Sequence, residues 1–302
     1  MEVSYYSNGK LLLSGEYGVL DGALALAIPT QYGQSLKIKS SNTPTLHWES
    51  LDPKGTVWFS AEFDTNSLTT LSSSDKALAK PLEQLLMQAK ALNSDFYLPS
   101  SGVQAISQLS FPRNWGLGSS STLINNIAQW AKVDPYVLLQ ATFGGSGYDI
   151  ACAQYNSPIL YQLKQDSPFV KEVHFDPSFK DQLYFVYLNQ KQNSRTAIAN
   201  YRKQNFEKKA VINALTEVTQ NLLNAESLVE FERLLEDHEF TLSKILQIAP
   251  VKELLFPDYF GTVKSLGGWG GDFVLATGDE KTPGYFKTKG FDTVIPYREM
   301  VL

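Results

Sequence analysis

"NWGLGSSST", residues 114–122, sets two glycines around a leucine and follows them with four hydroxyl side chains. The stretch before it, "ISQLSFPR", ends an alternating run that reads as a strand. After it, Leu123, Ile124, Ile127, Ala128 and Ala131 recur at helical spacing. A glycine lets the backbone take a positive φ or approach a ligand closely. The first N–H groups of the helix that follows have no intrahelical acceptors and carry partial positive charge. Together these features make an anion site, most often for phosphate. Capping a helix takes one hydroxyl. Ser119, Ser120, Ser121 and Thr122 exceed that need and suit phosphate oxygens or a Mg²⁺ ion.

Two further glycine loops precede regular elements. "GGSGYDIA", 144–151, opens an expected helix with Asp149 in its first turn. An acid there is favourable as a cap, and its oriented carboxylate also suits a general base. "SLGGWGGDFVLA", 265–276, places four glycines around Trp269 before an apolar strand, more than a turn needs, so close backbone approach to something is expected. Near the N-terminus, "NGKLLLSGEYGVLDG" puts Lys10 at the start of an apolar strand and Glu16 in a turn. Such a lysine either snorkels or serves as a fixed cation near phosphate.

The remainder of the chain narrows the classes. Its 302 residues suffice for two domains or one large α/β unit, and 43% hydrophobic content supports a substantial core. The net charge of −5, with no dense Lys/Arg cluster, gives no support for binding nucleic acid or an anionic membrane. Cys152 is the single cysteine, so no intrachain disulfide forms, in keeping with a cytoplasmic location. His47, His174 and His238 are scattered, and "HEF" at 238 lacks the second histidine of a zinc-peptidase helix. The P-loop pattern and G-x-S-x-G are absent. Glu16 and Asp21 interrupt the one stretch that resembles a signal peptide. Strands dominate the first 60 residues, a helix is expected over 75–92 with Pro81 at its first turn or at a break, and 194–246 reads as two or three helices. A change of texture near 180 sets the expected domains as 1–180 and 181–302.

Taken in order, "GKLLLSGEY", "PRNWGLGSSST", "GGSGYDIA" and "GGWGGD" resemble the motifs of the GHMP kinases, on the mevalonate and phosphomevalonate kinase branch. The resemblance runs from residue 8 to about 276. It implies an α+β fold with a ribosomal-S5-like N-terminal domain and a ferredoxin-like C-terminal domain. It also implies ATP and Mg²⁺ as cofactors and a small-molecule acceptor, in a monomer or homodimer. Carried over by motif, Asp149 is the catalytic base and Lys10 its cationic partner. Gly116, Leu117, Gly118, Ser119, Ser120 and Ser121 hold the triphosphate, with Ser120 near the metal. Gly267, Gly268, Gly270 and Gly271, with Asp272, support that loop. Glu16, Tyr17, Ser146 and Gly147 fall at the substrate end. Lys191, Ser194 and Arg195, crowded at the start of an expected helix, are candidates for a phosphate on the acceptor.

The sequence departs from the pattern in places. Asn8 stands for a proline, Asn114 for a glycine, Ser121-Thr122 for a small apolar pair, and Trp269 interrupts the third glycine run. "VLLQATF", where mevalonate kinase carries a metal-binding Glu, has no acid, which leans the reading toward phosphomevalonate. The expected activity is ATP-dependent phosphorylation of a mevalonate-type acceptor. The alternatives are an ATP-dependent diphosphomevalonate decarboxylase and a catalytically silent ATP- or metabolite-binding homologue.

Overall fold

"VSYYS" and "KLLLSG" lie in one continuous strand, β1 (Glu2–Ser14), and "QSLKIKS" is the second half of β2 (Ala25–Ser40). β3 (Thr45–Leu51) and β4 (Val57–Asp64) follow, joined by a turn in which Asp52 Oδ1 accepts the Lys54 and Thr56 N–H groups. β5 (Thr70–Ser73) leads to α1 (Lys76–Leu92), capped by Asp75. Pro81 sits inside α1, past the first turn, and does not break it. Next come β6 (Val103–Leu109), α2 (Ser119–Ala131), α3 (Pro135–Thr142), α4 (Tyr148–Gln154), β7 (Ile159–Gln162) and β8 (Phe169–Glu172). The remainder comprises β9 (Leu183–Tyr187), α5 (Ser194–Arg202), α6 (Lys208–Asn224), α7 (Leu228–Leu246) and α8 (Val251–Leu255), then β10 (Val263–Ser265), β11 (Phe273–Thr277), α9 (Thr282–Thr288), β12 (Val294–Pro296) and α10 (Tyr297–Met300). This computed structural model describes residues 2–96, 98–99, 101–165 and 167–302.

The chain divides into two compact units that are interleaved in sequence, where the sequence reading placed one boundary at 180. The first comprises residues up to Gly9, Tyr32–Arg113 and Leu117–Gln154; the second comprises Lys10–Gln31, Asn114–Gly116 and Tyr155–Leu302. β1 and β2 each run through both, so a single cut cannot separate them.

In the first unit the strand order is β5-β4-β3-β6-β2, with β3 and β6 parallel and the other pairs antiparallel. Alternation sends Leu46, Trp48, Phe59, Ala61, Phe63, Val103 and Ala105 to one face. There they share a core with Leu82, Leu85 and Leu86 of α1 and Ile124, Ile127 and Ala128 of α2. Each large side chain so buried contributes roughly 1.5–3 kcal/mol. α2 also carries two buried asparagines that the apolar spacing does not announce. Asn126 donates to the Gln34 carbonyl (2.9 Å) and accepts from Ser7 Oγ (2.8 Å). Asn125 donates to Ser7 Oγ (2.9 Å) and accepts from Gln154 Nε2 of α4 (3.2 Å). The buried bonds of this network tie α2 to β1 and β2, and the Gln154 bond ties it to α4.

In the second unit β9 is central in an antiparallel sheet of order β10-β11-β9-β12. Helices α5–α8 separate β9 from β10, and α9 separates β11 from β12. This β-α-β-β-α-β order is the ferredoxin-like arrangement. Here, too, the first half of β2 pairs with β7, and β7 with β8. Cys152, on α4 of the first unit, is fully buried. Among the described residues no helix is long and apolar enough to cross a membrane.

Candidate functional site

Of the stretch 114–122, residues 117–122 belong to the first unit and 114–116 to the second. In the first, Gly118 takes φ 86° and serves as the N-cap of α2 with no side-chain cap bond. α1, α3, α5 and α7 are all capped by side chains, those of Asp75, Asp134, Asn193 and Ser227. The four hydroxyls of α2 are therefore not caps. They split by direction: Ser120 is exposed and Ser119 half-buried, whereas Ser121 and Thr122 are buried. Thr122 Oγ1 donates to Gln34 Oε1 (2.5 Å), and Gln34 Nε2 donates to Ser107 Oγ (2.6 Å). The Leu117 side chain is also buried in full. Of the residues expected on the phosphates, Leu117 and Ser121 thus turn inward, because the helix must cover the core on that face. The open part of the loop is Gly118, Ser119 and Ser120.

The same unit holds the second glycine loop. Gly147, at φ 87°, leads into α4 as Gly118 leads into α2, and its carbonyl accepts the Ile150 and Ala151 N–H groups (3.0 and 3.1 Å). Asp149 lies in the first turn with Oδ1 buried, on a helix that packs against α2. A Cβ at Gly144 or Gly145 would meet nothing within 4 Å, so the loop before α4 faces open space. Ser146 is buried.

The second unit holds the remaining candidates. Lys10 Nζ donates to the Gly116 carbonyl (3.2 Å). Trp115 packs edge-on against Phe273 (5.5 Å between centroids), and Tyr187 Oη donates to the Asn114 carbonyl (3.0 Å), seating this half of the loop on β9 and β11. Gly116, at φ 70°, is glycine for a second reason: a Cβ there would lie 2.3 Å from Asp272 Cγ. Burial raises the Asp272 carboxyl above its ordinary pKa, against the pull of Lys10 and Lys191.

The third glycine loop is occupied from within the chain. A Cβ on Gly268 would meet Gln192 Cγ at 2.8 Å, one on Gly270 would meet Gln192 Nε2 at 3.2 Å, and one on Gly271 would meet the Gln190 carbonyl at 2.8 Å. The close approach expected of these glycines is thus to the Gln190–Gln192 segment. Gly267, at φ 68°, is the member of the run with open space beside it.

Glu16 and Tyr17 also read differently in the structure. Glu16 is 1% exposed and paired with Lys264 Nζ (2.5 Å), itself fully buried. His238 Nε2 accepts the Gly15 N–H (2.9 Å) and lies 3.0 Å from Glu16 Oε2. Glu239 Oε1 accepts the Ser265 N–H (3.0 Å), and its Oε2 is buried without a hydrogen-bond partner. Tyr17 is buried, packs at a tilt against Tyr201 with ring centroids 5.3 Å apart, and accepts the Trp269 N–H on its hydroxyl (3.2 Å). Both residues expected at the substrate end are therefore parts of the frame beneath the glycine loop. Sequence reasoning missed Lys264 and Glu239. The signal was present in α7, where His238 falls on the buried stripe of Phe231, Leu234, Leu235, Leu242 and Ile245. A polar group in such a stripe requires a partner.

The three ionisable neighbours respond to burial in different ways. Burial alone would raise the Glu16 pKa, but Lys264 and His238 outweigh it and bring it to about 2. Burial, helped by Lys264, lowers that of His238. Burial raises Glu239 to about 7 from an ordinary 4.5, with Glu16 adding to the rise and Lys264 opposing it. Glu239 is thus protonated in the fold and ionised in the unfolded chain between those two values. Its contribution is fully present below 4.5, declines as pH rises, and is lost above about 7. Glu239→Gln is expected to become more stable relative to the parent as pH rises from about 5 to about 8, by on the order of 3 kcal/mol. His238 acts in the opposite sense, its contribution being lost as pH falls below 6.5 through its depressed value. Urea midpoints of both proteins across this range check the prediction; a pH-independent difference would refute it.

Lys191, Ser194 and Arg195 are exposed at the start of α5. Asn193 Oδ1 already accepts the Arg195 and Thr196 N–H groups (3.1 and 3.3 Å), so this helix end is capped. Among the described residues no group of three His, Cys, Asp or Glu side chains is placed to hold a metal ion.

No protein-family model matches the chain, and no curated protein matches it in sequence. Solved structures do match it in fold. Mevalonate kinase of Methanococcus jannaschii superposes with a TM-score of 0.72 at 15% identity, over 97% of this chain and 96% of that one. Phosphomevalonate kinase of Streptococcus pneumoniae, solved with phosphomevalonate and AMPPNP, gives 0.69 at 16% identity over 95% of each chain. A mevalonate diphosphate decarboxylase from Legionella pneumophila gives 0.59 at 15% identity, over 98% of this chain and 100% of that one. With its colinear glycine loops and its ferredoxin-like second sheet, the chain has the GHMP kinase fold, of the α+β class.

Proposed function

We propose that the protein is an ATP-dependent kinase that phosphorylates a small mevalonate-type acceptor, phosphomevalonate or mevalonate. The observation that carries this reading is the start of α2, where Gly118 at φ 86° leaves the first helical N–H groups without a side-chain cap beside the open hydroxyls of Ser119 and Ser120. That end fits a polyphosphate: it offers amide donors, dipole and hydroxyls, and no acid lies in its first turn. Ser120 would offer its hydroxyl to Mg²⁺, and Gly116–Ser120 with Lys10 would hold the phosphates. Bound there, Mg²⁺-ATP would supply the γ-phosphoryl group and neutralise its charge.

The protein's own part is positioning and proton handling. Lys10, fixed on the Gly116 carbonyl, orients the entry to the phosphate loop. Asp149, held at the start of α4, would accept the proton of the acceptor's hydroxyl. Gly144 and Gly145 have open space beside them, where the acceptor would bind. The proposed protein works in the cytoplasm as a monomer or homodimer.

The test is ADP formation over a panel of mevalonate, phosphomevalonate, diphosphomevalonate, homoserine and galactose, with release of CO₂ followed in parallel. ADP with CO₂ would select the decarboxylase, which matches the same fold. ADP from none of them would sink the kinase reading. For the phosphate assignment, Gly118→Ala is expected to weaken ATP binding at least about tenfold, since a Cβ at positive φ distorts the loop at a cost of roughly 1 kcal/mol or more. Calorimetry showing unchanged ATP affinity in a folded variant would remove this loop from the site.

A further inference from the structure

The side chain of Gln192 is used at both ends. Its Nε2 donates to the Trp269 carbonyl, and its Oε1 accepts the Asn193 N–H (3.0 Å). Its backbone N–H donates to Asp272 Oδ1 (3.0 Å), and the Asp272 N–H returns to the Gln190 carbonyl (2.7 Å). The same side chain or its backbone fills the space beside Gly268, Gly270 and Gly271. On the other side of the loop the Trp269 indole is 3% exposed, in a cluster with Tyr17, Tyr201 and Leu242. The loop is thus gripped between an indole in the helical core and an amide on the segment after β9. Asp272, oriented by Gln192, lies against Gly116, whose carbonyl holds Lys10.

We propose that Gln192 is a positioning residue: it shapes the glycine run 267–271 from inside and, through Asp272, sets the geometry of Gly116 and Lys10. It touches neither nucleotide nor acceptor. Its effect on turnover rests on the kinase reading above; its effect on the loop does not. Gly268 and Gly270 are then a socket for the glutamine side chain, Gly271 lies against the 190–192 segment, and of the four Gly267 is left to face a ligand.

The experiment uses the full-length protein as Gln192→Ala, Gly268→Ala and the double variant. Hydrogen exchange over residues 266–272 reads the loop directly. Gln192→Ala should speed exchange there by at least about tenfold while exchange in the β9 strand stays unchanged. Gly268→Ala should do the same, because its Cβ displaces Gln192. The double variant should be no worse than either single variant, since the added methyl then enters the space the glutamine vacated. Additive effects in the double variant, or parent-like exchange in Gln192→Ala, would overturn the proposal. In kinetics, Gln192→Ala should raise the KM for ATP about tenfold and that for the acceptor less than about twofold. Equal changes in both would also overturn it. Should the parent protein fail to bind Mg²⁺-ATP by calorimetry, the kinase reading falls, and the exchange result still decides the role of Gln192.

Discussion

Asp149→Asn should lower kcat by roughly 10²- to 10⁴-fold, the usual worth of a general base. That corresponds to about 3–5 kcal/mol of barrier. The substitution is nearly isosteric, and the amide oxygen still suits the first turn of α4, so the fold should survive. In the proposed site α2 would carry the phosphate contacts and α4 the base, so ATP affinity should change little. Asn125, bonded to Gln154, keeps the two helices in register in the variant as in the parent. The measurement is steady-state turnover paired with ATP calorimetry. A near-parental kcat would make Asp149 a helix cap, and a parallel loss of ATP binding would make it a structural residue.

Lys264→Met should destabilise the protein by about 3–5 kcal/mol, because it strips the cation from a buried pair and leaves Glu16 charged in a dry interior. Lys264 is fully buried, and it also donates to the Ser265 carbonyl (2.8 Å). Repairing the charge should recover much of the loss: Glu16→Gln with Lys264→Met removes both ions and keeps their volumes. Guanidinium unfolding of the three proteins supplies the comparison. A single variant within about 1 kcal/mol of the parent would show that the pair contributes little beyond its own desolvation.

The sequence reading found most of the elements because their signals are local. Alternation marked β3, β4 and β6, the Asp134-Pro135 pair marked α3, and glycine loops marked the starts of α2 and α4. It could not find what depends on distant partners. The glycines at 268, 270 and 271 announce close approach and do not say to what; the answer, the 190–192 segment, lies more than seventy residues earlier. Glu16 looked like a site residue because it sits in a motif, and only the fold brings Lys264 and His238 to it. Asn125 and Asn126 fall outside the apolar spacing of α2, and the partners that explain their burial, Ser7 and Gln34, lie on β1 and β2. The interleaving of the units follows from two long strands, which a change of composition near 180 cannot reveal.

The central place of β9 has a consequence for synthesis. "LYFVY" is buried along its whole length, yet both strands that flank it, β11 and β12, are encoded after it, beyond four helices. At about 5–20 residues per second the ribosome needs several seconds to deliver Phe273. Through that interval the nascent chain carries an aromatic strand with neither ladder filled, the kind of edge that other chains extend. Helices α5–α7, which emerge directly behind it, can form from local contacts within that interval, whereas the ladders of β9 must wait for the strands encoded later. The order in which the chain leaves the ribosome thus gives the helices of the second unit a head start over its sheet.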